Sequence, residues 1–272
     1  ACKREPNYAP FYLARADLLR KTKHNDELGD LQRALELAPK EWRTYSALIR
    51  YYDENSNQKE ALKLSAKAYK KFPSNYNLGM SHAKALLNNG EYKKCIESLK
   101  NIEVLPFEGA SQGRTIYEQS HLLYAMAIIE KKKYKEAISI LKEAMEWPEN
   151  LGVGKPYDPD NRAEDYLLAY CYDHLSKPSQ KEAHLKNTIE YTKEFFNPRN
   201  PNNLLGLLSL QESGNKQQAD HLLKEIMDSD AGPVTDWVMA QYSNQSEAAL
   251  DQGNKESNLR YRILNKIVAL AN

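Results

Sequence analysis

The chain has 272 residues, 41% of them hydrophobic and 28% charged, with a net charge of +1. That balance suits a folded chain and gives no bulk attraction for nucleic acid or an anionic membrane. No run approaches the ~20 apolar residues of a membrane-crossing helix, and the three cysteines, Cys2, Cys95 and Cys171, are too few and too scattered for a disulfide framework. A reducing, cytoplasmic compartment is expected.

Ala1-Cys2-Lys3-Arg4-Glu5-Pro6 carries no apolar signal region, and its lack of an initiator methionine leads us to expect a piece of a larger protein. A first helical segment opens on Phe11-Tyr12-Leu13-Ala14 and closes at Pro39; a second opens on Tyr45-Ser46-Ala47-Leu48-Ile49 and closes at Pro73, 34 residues later. Ala34 and Ala68 each precede their proline by five residues. Ala61 and Ala68 are seven apart, two turns along one helix face, and the spacing recurs at Ala137 and Ala144 ahead of Pro148. Small residues there let helices approach closely, and proline stops the second helix of each pair. Turns are expected at Asn55-Ser56-Asn57, Asn88-Asn89-Gly90, Glu212-Ser213-Gly214-Asn215 and Gln252-Gly253-Asn254, and Lys131-Lys132-Lys133 reads as solvated helix surface. Helix pairs are predicted near 9–39, 41–73, 75–105, 113–148, 162–195, 200–231 and 233–271, with inserts at 105–114 and 147–160.

Asp26 to Pro39 and Lys59 to Pro73 resemble the second helices of tetratricopeptide repeats, and Gly90-Glu91-Tyr92-Lys93-Lys94-Cys95 and Lys133-Tyr134-Lys135-Glu136-Ala137 resemble that family's turn into its second helix. The resemblance implies one all-α domain over 1–272: a right-handed superhelical solenoid of about seven antiparallel helix pairs. Its groove, lined by the first helix of each pair, suits an extended peptide or a partner helix. Tyr12, Arg43, Ser46, Arg50, Asn77, Lys84, Asn88 and Gln119 are the groove candidates. Arg43, Arg50, Asn77, Lys84 and Asn88 have the chemistry of the subtype that clamps a peptide's C-terminal carboxylate, but not its alignment over three successive repeats.

Catalysis, cofactor and metal are not expected. No histidine falls in a zinc spacing; Gly152-Val153-Gly154-Lys155-Pro156 fails as a phosphate loop because Pro156 stands where the magnesium-binding hydroxyl belongs. Asp158-Pro159-Asp160-Asn161-Arg162 lacks the glycine and terminal glutamate of a calcium loop, so Asp160 reads as a helix N-cap. Cys95, Cys171, His82, His121 and His174 read as packing residues. The inserts are the least regular features, and loops of that length are often functional; Phe107, Arg114, Trp147, Lys155 and Tyr157 are their candidates, with a packed connection the alternative. Ile263, Leu264, Ile267, Val268 and Leu270 form a terminal apolar stripe that needs burial.

Leu105-Pro106-Phe107-Glu108-Gly109 and Trp147 through Tyr157 also resemble the C-terminal region of large uncharacterised bacterial proteins whose N-terminal domain is a mutarotase-like β-sandwich. That resemblance implies a link to carbohydrate metabolism and transfers no catalytic residue. The expected function is a protein-interaction or scaffolding module with a protein or peptide partner, including such an N-terminal domain; the alternative is an accessory region of a carbohydrate-active enzyme.

Overall fold

The computed structural model describes residues 4–22, 27–106, 110–229, 232–243 and 259–271. Among them there are fourteen α-helices and no strand: α1 (Ala9–Lys21), α2 (Glu27–Leu37), α3 (Trp42–Glu54), α4 (Gln58–Lys71), α5 (Tyr76–Asn88), α6 (Tyr92–Leu99), α7 (Gln112–Ile129), α8 (Tyr134–Ala144), α9 (Arg162–His174), α10 (Pro178–Glu194), α11 (Asn203–Glu212), α12 (Lys216–Asp228), α13 (Pro233–Tyr242) and α14 (Leu259–Ala271). A single 3₁₀ turn spans Glu149–Leu151. Short turns fold α3, α5, α9 and α11 back on the helices that follow them, so α3/α4, α5/α6, α9/α10 and α11/α12 are antiparallel neighbours, and α1 packs on α2.

The residues fall into two compact units: Ala1–Ser120 with Pro148–Gly154, and His121–Trp147 with Lys155–Asn272. In the first, Tyr45, Ile49, Ala68 and Leu78 form a core that Trp42, Leu64 and Phe72 flank, beside a second cluster of Ala16, Leu31 and Leu48. In the second unit Leu141, Leu167, Leu168, Leu204 and Trp237 are fully buried.

One backbone device recurs in five turns. Ser56, Gly90, Lys132, Ser176 and Gly214 all have positive φ, between 55° and 78°, and each stands two residues before the next helix. The following amide reaches back over the turn to the preceding helix: Asn57 to Tyr52 O at 2.8 Å, Glu91 to Leu86 O at 3.0 Å, Lys133 to Ile128 O at 3.2 Å, Lys177 to Tyr172 O at 2.9 Å and Asn215 to Leu210 O at 2.9 Å. This is the left-handed helix cap, which satisfies otherwise orphaned carbonyls. It corrects the reading of Lys131-Lys132-Lys133: these residues are exposed, but they form the α7–α8 turn rather than helix surface. Five residues after the left-handed position stand Ala61, Cys95, Ala137 and Ala219, all wholly buried. Cys95 is thus a counterpart of the alanines. The fifth such position is Lys181, whose ammonium lies between Asp173 at 3.1 Å and Glu212 at 3.5 Å.

Candidate functional site

The repeated turn gives a common register for the first helix of each pair. Counting back thirteen residues from the left-handed position reaches Arg43, Asn77 and Gln119; six residues back are Arg50 and Lys84; two back are Glu54 and Asn88. Six of the eight groove candidates therefore share register positions, three on α5 at a spacing of three to four residues per turn, hence on one face. Tyr12 is used elsewhere: its hydroxyl donates to Pro6 O at 3.0 Å, and its ring lies beneath Arg15, which is ion-paired with Asp30 of α2. Ser46 is half-buried.

On the α3–α5 face the groups converge on Asp53, which accepts from Lys84 Nζ at 2.6 Å and Asn88 Nδ2 at 2.8 Å. Arg50 and Arg20 approach Glu54, at 4.0 and 3.7 Å. Arg43 pairs with Glu41 at 2.9 Å and stacks on Trp42. Each cation already has an acid beside it. The face is a mixed-charge strip, different from the bare cationic clamp that a terminal carboxylate needs. Exposed pairs of this kind are worth about 0–1 kcal/mol each, so a ligand's own charges can exchange into them at little cost. Asp53 was missed from sequence, although it follows Arg50 by three residues and so shares its face.

The insert candidates divide. Phe107 lies outside the described residues. Arg114 is buried, within 3.4 Å of Glu118 and over the Tyr117 ring. The 3₁₀ turn and its flanks form a packed connection in the first unit. The Val104 amide donates to Asn150 O at 2.8 Å, while Asn150 Nδ2 donates to Leu99 O at 3.0 Å and Ile102 O at 2.8 Å. Leu151 is buried against Gly113, where a Cβ would lie only 3.0 Å from Leu151 Cβ. Trp147 is half-buried, whereas Lys155 is exposed and Tyr157 is 98% exposed.

In the second unit a polar cluster joins the N-termini of α9 and α11. The N-cap of α9 is Asn161, one residue beyond the expected Asp160; Asp160 accepts from the Arg162 amide at 3.3 Å and also binds the Arg162 guanidinium at 2.8 and 2.7 Å. Asn200 and Asn202 donate to the same carboxylate. Arg162 is 1% exposed and reaches Thr192, Asn203 and the Tyr191 ring. Burial alone would raise the Asp160 pKa, but the hydrogen bonds and charge of Arg162 outweigh it and hold the carboxyl below its usual range. Arg162 and the three asparagines carried no sequence signal, because the cluster is assembled from segments about forty residues apart.

Among the described residues, His82, His121 and His174 pack against their neighbours. His82 contacts Ser65 at 3.2 Å, and burial lowers its pKa toward the neutral form. His174 lies between Tyr134 and Tyr170, and His121 is buried. Burial pushes the thiols of Cys95 and Cys171 up to about 12. Among the described residues no group of three or more His, Cys, Asp or Glu side chains is placed to hold a metal, and no helix is long and apolar enough to cross a membrane.

Residues 54–144 match the family model of the anaphase-promoting complex (cyclosome) subunit 3. The apo form of the quorum sensor NprR from B. thuringiensis superposes with a TM-score of 0.52 at 16% identity, over 97% of this chain and 76% of that one. The fold is that of a tetratricopeptide repeat protein. YrrB, a tetratricopeptide protein with an unusual peptide-binding site, is similar at a TM-score of 0.46 and 18% identity, covering 70% of this chain and 89% of its own. PilF of Pseudomonas aeruginosa follows at 0.41 and 16%, covering 82% and 96%. No curated protein matches the sequence.

Proposed function

We propose that this tetratricopeptide repeat chain is a protein-interaction module that binds an extended peptide along the α3–α5 face. The observation that carries the reading is the convergence of Lys84 and Asn88 on Asp53 beside Arg50 and Glu54. Donors and acceptors of both signs are presented on adjacent first helices, where a peptide's backbone and side chains can exchange into weak surface pairs. Non-catalytic scaffolding is the reading the fold favours. The test is selection of peptides from a displayed library by the whole chain, with rebinding to R50A and K84A variants. Loss of at least tenfold in affinity is expected for both. Selected peptides that bind both variants as tightly as the parent would refute this face as the site.

A second reading concerns Tyr157, whose ring is open to solvent beside Lys155. Aromatic faces pack on the apolar faces of sugars, so this half of the insert suits an accessory role to a carbohydrate-active enzyme. A glycan array probed with the parent and with Y157S decides it: no signal from the parent, or equal signal from both, removes this reading.

A further inference from the structure

The register defined by the left-handed turns exposes a difference within the molecule. The positions that carry Arg43, Arg50, Asn77 and Lys84 on α3 and α5 are filled in the second unit by Ala163 and Tyr170 on α9, by Pro201 just before α11 and by Leu208 on it; the position of Ala47 and Ser81 is Leu167 on α9 and Leu205 on α11. These positions are thus apolar or aromatic in the second unit, while those of Asp53 and Glu54 stay polar there, as Asp173 and His174 on α9 and Gln211 and Glu212 on α11. Leu167 and Leu205 are wholly buried, and Ala163 nearly so. Helix α11, NLLGLLSLQE, has apolar residues on every side and buries most of them, which requires cover on more than the α12 side.

Helix α14 packs on α9, two pairs back in the chain. Its buried residues are Ile263, Leu264, Ile267 and Val268, a single stripe, while Arg262 and Lys266 face solvent. Tyr261 meets Trp237 of α13 edge-on with ring centroids 4.8 Å apart. At the start of the helix, Arg260 Nε donates to Asn202 Oδ1 at 3.2 Å, and its guanidinium lies 3.8 Å from Asp160. First-helix segments of three pairs, namely α9, Trp237 of α13 and Asn202 at the start of α11, with the acidic Asp160 at one end, thus receive an amphipathic helix with a basic residue at its start.

We infer that the first-helix face of the second unit is a helix-binding groove, and that α14 is its in-cis occupant. Its external ligand is an amphipathic helix of a partner with aliphatic residues at the spacing of Ile263, Leu264, Ile267 and Val268 and an arginine three residues before the first. The anchor spacing is that of helix-in-groove recognition. A tethered occupant competes at an effective concentration in the millimolar range, so the groove is closed to weak ligands and open to a helix that matches α14 better. This site is separate from the α3–α5 face, and R50A and K84A leave it intact.

The test uses the full chain and a fluorescent peptide with the sequence of residues 259–272. The I263S/I267S variant, whose own α14 has lost its stripe, is expected to bind the peptide at least tenfold more tightly than the parent. The same peptide carrying both serines is expected not to bind. A variant with parental circular dichroism that binds the peptide no better than the parent overturns the inference. Hydrogen exchange on the parent decides independently, even where the variant does not fold. Amides of α14 exchanging at least tenfold faster than those of α9 and α11 support a replaceable occupant; α14 amides that exchange only with theirs, in global unfolding, overturn it.

Discussion

At the scale of single residues, the same substitution has opposite effects at two glycines. A Cβ at Gly206 would lie 2.5 Å from Thr192 Oγ1 and 2.9 Å from Thr192 Cβ, whereas one at Gly29 would meet nothing within 4 Å. Gly206→Ala is therefore expected to destabilise by about 1–3 kcal/mol through overpacking. Gly29→Ala, in the first turn of α2, is expected to stabilise by up to about 1 kcal/mol through helix propensity; urea denaturation of both variants checks the pair. The two thiols give a pH prediction. Cys95 and Cys171 hold their protons more tightly in the folded chain, up to about 12, than an unfolded cysteine does, near ~8.5. Their contribution is complete below the unfolded value and is lost as pH rises toward the folded one. Neither thiol should react with a thiol reagent at pH 8 until the chain unfolds, and urea midpoints should fall above about pH 9. Cys95 could be read as buried from sequence because it takes the place of an alanine in the repeat. The thiol's proton affinity could not, because it is set by what surrounds the sulfur.

At the scale of elements, the Asp160–Arg162 pair holds the N-termini of α9 and α11 and the end of α10 in one hydrogen-bonded cluster. Removing the carboxylate leaves a buried guanidinium without its counter-charge, so Asp160→Ala is expected to cost about 3–5 kcal/mol. Because the folded-state pKa of Asp160 is depressed, the stabilisation is present above the ordinary aspartate value and lost as pH falls through the lower folded one. A parental chain that loses stability on acidification more steeply than the Asp160→Ala variant would show this. The sequence suggested only the capping role of Asp160, a relation two residues long. The asparagines and Thr192 join it through helix packing, which no local pattern encodes.

The second insert shows the same division in one segment. Gly152 has φ +66°, and a Cβ there would stand 2.7 Å from Val104 O. Gly152→Ala is expected to destabilise by more than about 1 kcal/mol through backbone strain and clash. Tyr157→Ser, at an exposed position, should stay within about 0.5 kcal/mol of the parent; thermal unfolding of both variants would test the contrast. Composition marked the whole insert as unusual. Which half is packed and which is free depends on Asn150 finding the carbonyls of Leu99 and Ile102.

At the scale of the molecule, the sequence by itself determined the helical repeat, the pairing of helices and most of their limits. Proline, paired alanines and turn residues act locally and recur, so the predicted pairs 9–39, 41–73 and 162–195 enclose α1/α2, α3/α4 and α9/α10. The turn at Ser176 escaped because a serine adopts the conformation that glycine usually marks, and the one at Lys132 was signalled only by the resemblance of Lys133 to Ala137 to the family's turn. Tertiary structure alone decided that Lys84 and Asn88 of α5 meet Asp53 of α3. It also decided that the terminal apolar stripe is buried in its own unit, by a helix lying on α9. Those outcomes depend on which residues a neighbouring helix, distant in sequence, brings within a few ångströms, and a repeat period fixes where helices begin without fixing what each open face will meet.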